Sequence, residues 1–104
     1  MKLNSYEKIS LKEKLMLQQQ QRSALLATNF YSYETLRGIM EAASALQKPI
    51  ILQLTKGSID YMGLHVAVNM AKSALEQYKV EGWLHLDHSE SYELVKDCLE
   101  AGFD

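Results

Sequence analysis

Apolar residues recur along the chain with two spacings, which predict helices alternating with short buried strands. Ser10-Leu11-Lys12-Glu13 has the form of a capping box and predicts the start of a first helix. Ser32 is the predicted N-cap of a second helix over 33–47, whose apolar positions recur at intervals of three and four residues. The same spacing predicts a third helix over 64–78 and a fourth over 91–101.

Three runs between these helices predict strands. They cover 23–28, which we expect to be buried on both faces, then 50–54 and 83–88. The middle run, Ile-Ile-Leu-Gln-Leu, has the continuous aliphatic character of a strand covered on both sides. Residues 55–58 are expected to form a polar turn directly after it. Strands that alternate with helices of roughly 10–15 residues indicate βαβ units and a parallel sheet.

The predicted order is one helix followed by three βα units, and Phe103-Asp104 resembles the start of a further strand. The glycine-rich phosphate loops G-x-G-x-x-G and G-x-x-x-x-G-K-[ST] are absent from the sequence, which argues against a nucleotide-binding Rossmann fold. The other common parallel arrangement is the barrel, which needs eight strands and typically about 250 residues. Three strands and the beginning of a fourth cannot close one.

Composition adds mainly exclusions. The 104 residues are 23% charged and 47% hydrophobic, as in a soluble globular domain. A net charge of -2 argues against binding to nucleic acid or to an anionic membrane, and no apolar run approaches the ~18 residues of a membrane span. Met1–Lys8 lacks the apolar segment of a secretory signal. The single cysteine, Cys98, is expected to be a small buried side chain in a cytoplasmic protein.

Polar residues follow each of the three predicted strands, at Thr28-Asn29, Thr55-Lys56-Gly57 and Asp87-His88-Ser89. The carboxyl ends of parallel strands meet at one rim, where functional residues gather. His85-Leu86-Asp87-His88 is the most informative stretch, because it combines a carboxylate with the imidazole ligands that zinc favours. Strand alternation places His88 opposite Asp87, so the two share a site only where the backbone departs from strand geometry.

Spacing alone also permits a structural interpretation of this stretch. In that interpretation His85 is a core histidine and 87–89 is a cluster that caps the following helix. One or two histidines do not make a zinc site, so both interpretations remain open at this point.

Five segments, in this order and at this spacing, resemble the N-terminal part of a known enzyme family. They are Ala27-Thr28-Asn29-Phe30, Glu41-Ala42-Ala43, the stretch from Lys48 to Gly57 with Tyr61-Met62-Gly63, Leu84-His85-Leu86-Asp87-His88-Ser89, and Glu100-Ala101-Gly102-Phe103-Asp104. The L-H-L-D-H segment is specific, whereas the others are weak alone and strong in combination. The family is that of the class II, zinc-dependent ketose-bisphosphate aldolases, which includes the fructose- and tagatose-bisphosphate aldolases.

The resemblance implies a role for individual residues. It makes Asp87 the catalytic acid/base group and His88 a zinc ligand, whereas the first histidine, His85, is usually not a ligand. It makes Asn29 a substrate contact. Thr55 stands where the family usually has Ser, so it keeps a substrate-binding hydroxyl and adds a methyl group.

The resemblance also implies an activity and a fold. The reaction is reversible cleavage of a ketose 1,6-bisphosphate, fructose or tagatose, to dihydroxyacetone phosphate and glyceraldehyde 3-phosphate, as in glycolysis. Zn²⁺, or another divalent ion, polarises the ketose carbonyl. The fold class is α/β: about three βα units plus a leading helix, the N-terminal portion of a TIM (β/α)8 barrel. In full-length form such an enzyme is expected to be a cytoplasmic homo-oligomer, a dimer or a tetramer.

Length separates this chain from the family pattern. The family's further metal ligands and its phosphate-binding loops come from later strands, so residues 1–104 are expected to be a single, incomplete domain that is truncated and inactive alone. Two alternatives remain, since fold does not dictate function. One is a noncatalytic partial-barrel partner subunit, which would associate through an open strand edge. The other is a different lyase or isomerase on the same scaffold.

Overall fold

The structure, a computed structural model, describes residues 9–104 and contains a parallel sheet with helices packed on it. In chain order the elements are α1 (Leu11–Gln20), β1 (Leu26–Asn29), α2 (Tyr33–Leu46), β2 (Ile50–Leu54), α3 (Lys56–Met62), α4 (Leu64–Tyr78), β3 (Gly82–Leu86) and α5 (Tyr92–Ala101). The strand order is β1-β2-β3, and both neighbouring pairs are parallel. The predicted βαβ organisation is confirmed.

The prediction about a secretory signal concerns Met1–Lys8, which lies outside the described residues. Within residues 9–104, none of the helices has the length and apolar character needed to cross a membrane.

The sheet has two faces with different neighbours. On one face, alternate residues of the strands join the apolar core with α2, α4 and α5, because side chains of a strand point alternately to opposite sides. The members of this core with no more than 2% exposure are Phe30, Leu36, Met40, Leu52, Leu54, Ala67, Val68, Ala71, Leu84 and Cys98. The intervening residues, Gln53 and Trp83 among them, point to the second face. That second face is the one on which the candidate site lies.

The first helix covers the second face near the start of β3. Trp83 is fully buried, and its indole Nε1 donates a hydrogen bond to the carbonyl oxygen of Ile9 at 3.0 Å. Lys14 Nζ lies 6.0 Å from the centre of the Trp83 ring and 2.9 Å from Glu81 Oε1. These contacts hold α1 at one end of the face, and residues 9–104 leave the end nearest the strand carboxyl termini open.

Two local predictions are wrong. Residues 55–58 do not form a simple turn: α3 begins there because Thr55 and Ser58 cap each other, with Thr55 Oγ1 accepting the Ser58 N–H and Ser58 Oγ accepting the Thr55 N–H. The first strand is also not buried on both faces, since Leu26 is 67% exposed. Among the described strands it has β2 as its single neighbour, so its other edge is not covered by residues 9–104.

The end of the last helix agrees with the sequence. Gly102 has a φ of 119°, in the left-handed region that favours glycine after a helix. Cys98 is buried with 1% exposure, as predicted, and burial raises the pKa of its thiol, with a smaller contribution from the neighbouring charge of Asp97.

We expect Gly82→Ala to lower the free energy of unfolding by about 1–3 kcal/mol, the usual cost of overpacking a core. A Cβ at this position would lie 2.5 Å from Leu75 Cδ2 and 2.9 Å from the backbone oxygen of Ile50. The oxygen belongs to the β2–β3 pairing and cannot move without disturbing it. Urea denaturation of the full-length gene product measures the effect.

Gly38 supplies the matched control, because a Cβ there would have no atom within 4 Å. It lies on the exposed side of α2, where replacing Gly by Ala raises helix stability by about 0.5–1 kcal/mol. Equal shifts for Gly82→Ala and Gly38→Ala would contradict the packing argument.

Candidate active site

The carboxyl ends of the three strands lie side by side. Asn29 is the last residue of β1 and pairs with Gln53 of β2, which in turn pairs with His85 of β3. Thr55 follows β2 directly, and Asp87 follows β3. This register brings the polar residues that follow the strands to one rim, as the parallel arrangement predicted.

Asp87 is held at this rim by one backbone and one side-chain hydrogen bond. Its N–H donates to the carbonyl oxygen of Leu54 at 2.8 Å, which continues the β2–β3 pairing by one residue. Its Oδ2 accepts a hydrogen bond from Asn29 Nδ2 at 3.2 Å. The side chain is 30% exposed, so the carboxylate is accessible from the open end of the second face.

The backbone turns sharply at His88. Its φ is 69°, in the left-handed region, so the regular alternation of side chains ends there. As a result, Nε2 of the imidazole lies 3.7 Å from Asp87 Oδ1, and the ring is 89% exposed. The departure from strand geometry that a shared site requires is therefore present.

The hydroxyl group of Thr55 serves the N-terminus of α3. Oγ1 accepts the Ser58 N–H at 3.3 Å and lies 2.9 Å from Ser58 Oγ. A hydroxyl has one donor and two acceptor positions. Whichever of the two oxygens donates in the 2.9 Å contact, one hydrogen-bonding position of Thr55 is left for a ligand.

The structural interpretation of the His85–Ser89 stretch is wrong for His85 and for Asp87, and holds only for Ser89. His85 is exposed, so it is not a core histidine. The cap of α5 is Ser91, whose Oγ accepts the Leu94 N–H at 3.2 Å. Ser89 supports that cap by accepting the Ser91 N–H at 3.2 Å. The Asp87 carboxylate is bonded to Asn29 and takes no part in the cap.

The donor atoms at the rim suit a zinc ion, although they do not complete its coordination. His88 presents an exposed imidazole, the nitrogen ligand that zinc favours, next to a carboxylate. Within residues 9–104, no group of three or more His, Cys, Asp or Glu side chains is placed to hold a metal ion. His88 is therefore one candidate ligand within the described residues.

Residues 9–104 match the protein family described as class II fructose-bisphosphate aldolase. The chain belongs to this family. Among curated aldolases, the fructose-bisphosphate aldolase of Helicobacter pylori is 38% identical over 78 residues, which cover 74% of this chain and 25% of that protein. The fructose-bisphosphate aldolase of Treponema pallidum is 39% identical over 85 residues, 77% of this chain and 26% of that protein. This member of the aldolase family therefore spans about a quarter of the length of these relatives.

A solved aldolase shows the same fold. The YdjI aldolase from Escherichia coli K12 superimposes with a TM-score of 0.82 at 20% identity, over 91% of this chain and 37% of that protein. The likeness confirms the predicted α/β fold, the N-terminal portion of a TIM barrel.

One contact of the candidate site does not follow from the sequence pattern. Asn29 and Asp87 are each predictable as site residues, but the hydrogen bond that joins them is not. The available signal was their shared position relative to the strand ends: each lies where its strand ends, on the face opposite the core. This shared position predicts a contact between the two side chains only when the strand order is known.

Proposed function

We propose that this chain supplies the acid/base carboxylate of a metal-dependent aldolase. The proposed reaction is the reversible cleavage of a ketose 1,6-bisphosphate, of fructose or tagatose, to dihydroxyacetone phosphate and glyceraldehyde 3-phosphate. The observation that carries this proposal is Asp87, which is held at the rim by Asn29 and lies beside the exposed imidazole of His88. Membership of the aldolase family supports the reaction class.

Asp87 acts on the hydroxyl group at C4 of the ketose. In cleavage its carboxylate accepts the C4 hydroxyl proton as the C3–C4 bond breaks, and in condensation it returns that proton to the aldehyde oxygen. The carboxylate must lie about 2.6–3.2 Å from that oxygen. Oδ2 already accepts the Asn29 hydrogen bond, so we assign the proton to Oδ1, which accepts no hydrogen bond from residues 9–104.

The other rim residues bind and orient. In this proposal His88 is one ligand of a Zn²⁺ or other divalent ion, and the remaining ligands come from parts of the protein outside this chain. When bound, the ion supplies Lewis-acid polarisation of the ketose carbonyl. Asn29 and Thr55 contact the substrate, and Thr55 does so through the hydrogen-bonding position that Ser58 leaves open.

The wider setting belongs to the same proposal. Residues 1–104 are the N-terminal segment of an aldolase-type barrel, a single incomplete domain that is inactive by itself. The phosphate-binding loops lie in the remainder of the protein, since this chain covers about a quarter of its curated relatives. The complete enzyme is a cytoplasmic dimer or tetramer that binds neither nucleic acid nor membranes.

The test is an aldol-cleavage assay with the full-length gene product and, separately, with residues 1–104. Fructose 1,6-bisphosphate and tagatose 1,6-bisphosphate are the substrates, before and after removal of metal with a chelator. We expect cleavage by the full-length product, its loss on chelation and its return with Zn²⁺, and no cleavage by residues 1–104. A full-length product that cleaves neither sugar and only associates with other protein chains would contradict the proposal. Cleavage that survives removal of metal would contradict it as well.

A further inference from the structure

The hydrogen bond between Asn29 and Asp87 joins the two outer strands of the described sheet. Because β2 lies between β1 and β3, the backbones of the outer strands are separated by two inter-strand spacings, roughly 9–10 Å. The Asn29 amide nevertheless reaches Asp87 Oδ2 at 3.2 Å. Both side chains extend toward each other over the end of β2, so each restricts the rotation of the other.

Among residues 9–104, little else orients the Asp87 carboxylate. The backbone hydrogen bond to Leu54 locates the main chain and leaves the side chain free to rotate about its Cα–Cβ bond. The 3.7 Å between Oδ1 and His88 Nε2 is too long for a hydrogen bond. Within the part of the chain that the structure describes, Asn29 is thus the side chain that donates a hydrogen bond to this carboxylate.

The same contact makes the two carboxylate oxygens unequal. Asn29 occupies Oδ2, whereas Oδ1 remains on the His88 side of the group. The amide of Asn29 donates without carrying a charge, so it orients the carboxylate without forming an ion pair with it. Such an arrangement presents one defined oxygen to a reacting hydroxyl group.

We propose that Asn29, besides its proposed contact with the substrate, is a positioning residue, whose contribution to kcat passes through Asp87. The inference rests on the proposed function, in which Asp87 is the acid/base group. Loss of a positioning residue lowers kcat, because a displacement of about 1 Å in a reacting group costs on the order of 10²-fold in rate. Loss of a contact made equally in the ground state and the transition state would instead raise KM.

The experiment is a double-mutant cycle in the zinc-loaded, full-length gene product, with Asn29→Ala, Asp87→Ala and the double variant. The measurements are kcat and KM for cleavage of fructose 1,6-bisphosphate, together with zinc content. We expect Asn29→Ala alone to lower kcat about 10- to 100-fold with zinc content unchanged, whereas loss of its substrate contact raises KM in both backgrounds. In the Asp87→Ala background the same change should lower kcat no further, since residues that act as a unit are not additive.

Two further variants keep the result interpretable. Asn29→Leu retains the side-chain volume without a donor and should reproduce the loss if Asn29→Ala lowers the melting temperature. Asn69, an exposed residue of α4, is the matched control, and Asn69→Ala should leave kcat unchanged.

Three outcomes overturn the inference. The first is an equal loss for Asn29→Ala in both backgrounds, and the second is a raised KM with unchanged kcat. Either result refutes the positioning role and leaves the proposed function standing. The third is an Asp87→Ala variant with normal kcat, which overturns the proposed function and the inference together.

Discussion

Replacing Asp87 by Ala or Asn is expected to lower kcat of the full-length gene product by about 10²–10⁴-fold, the usual contribution of the positioned acid/base group that we propose Asp87 to be. Zinc content and KM should change little, because the lost interaction acts on the transition state. The carboxylate is 30% exposed and is bonded to Asn29 across the strand ends, the two observations on which its proposed role rests. Steady-state kinetics and metal analysis of the same preparation measure both effects.

A structural role for Asp87 makes the opposite prediction. Loss of its hydrogen bond to Asn29, a bond to a charged group, costs roughly 1.5–3 kcal/mol and would lower the melting temperature without a specific kinetic defect. Asp97, an exposed carboxylate of α5, provides the control, and Asp97→Asn should leave kcat and metal content unchanged. A lowered melting temperature with near-normal kcat for Asp87→Asn would show that the residue is structural.

Replacing His88 by Ala should abolish zinc retention, whereas His85→Ala should leave it largely intact. The two histidines are three positions apart, but the left-handed turn at His88, with φ 69°, directs its imidazole to within 3.7 Å of the Asp87 carboxylate. His85 belongs to β3 and keeps regular strand geometry. Zinc content of the full-length variants after gel filtration measures the difference.

The backbone at His88 requires a second variant. Alanine is disfavoured in the left-handed region, whereas asparagine adopts it more readily. His88→Asn therefore removes the imidazole with less backbone strain and should lose zinc as completely as His88→Ala. Equal zinc loss in the His85 and His88 variants would refute the assignment of His88 as the ligand.

Local pattern was sufficient where an element depends on residues close in sequence. The bounds of β2 and α4 follow from a continuous aliphatic run and from regular three- and four-residue spacing, and the structure reproduces both. The pattern failed at α3, because Thr55 and Ser58 form a reciprocal cap without the Glu or Gln that usually marks one. A seven-residue helix stabilised largely by such a cap leaves little periodicity to detect.

The candidate site also has features that the sequence predicts and features that it does not. The residues Asn29, Asp87 and His88 and their place after strands were predictable, since the carboxyl ends of parallel strands share a rim. Their contacts were not, because Asn29 and Asp87 are 58 positions apart and meet only through the order β1-β2-β3. The turn at His88 was recognised as a requirement, and the conformation that meets it is a property of the folded backbone.

The sequence by itself determined the alternation of strands and helices and the family of this chain, because both depend on the kind of residue at each position. Tertiary structure decided which surfaces of residues 9–104 are covered. Leu26 is exposed at the edge of the described sheet, whereas Trp83 is buried beside α1 and donates a hydrogen bond to the carbonyl oxygen of Ile9. The physical reason is that burial and side-chain contact depend on distances between residues far apart in the chain. Local propensity carries no information about those distances.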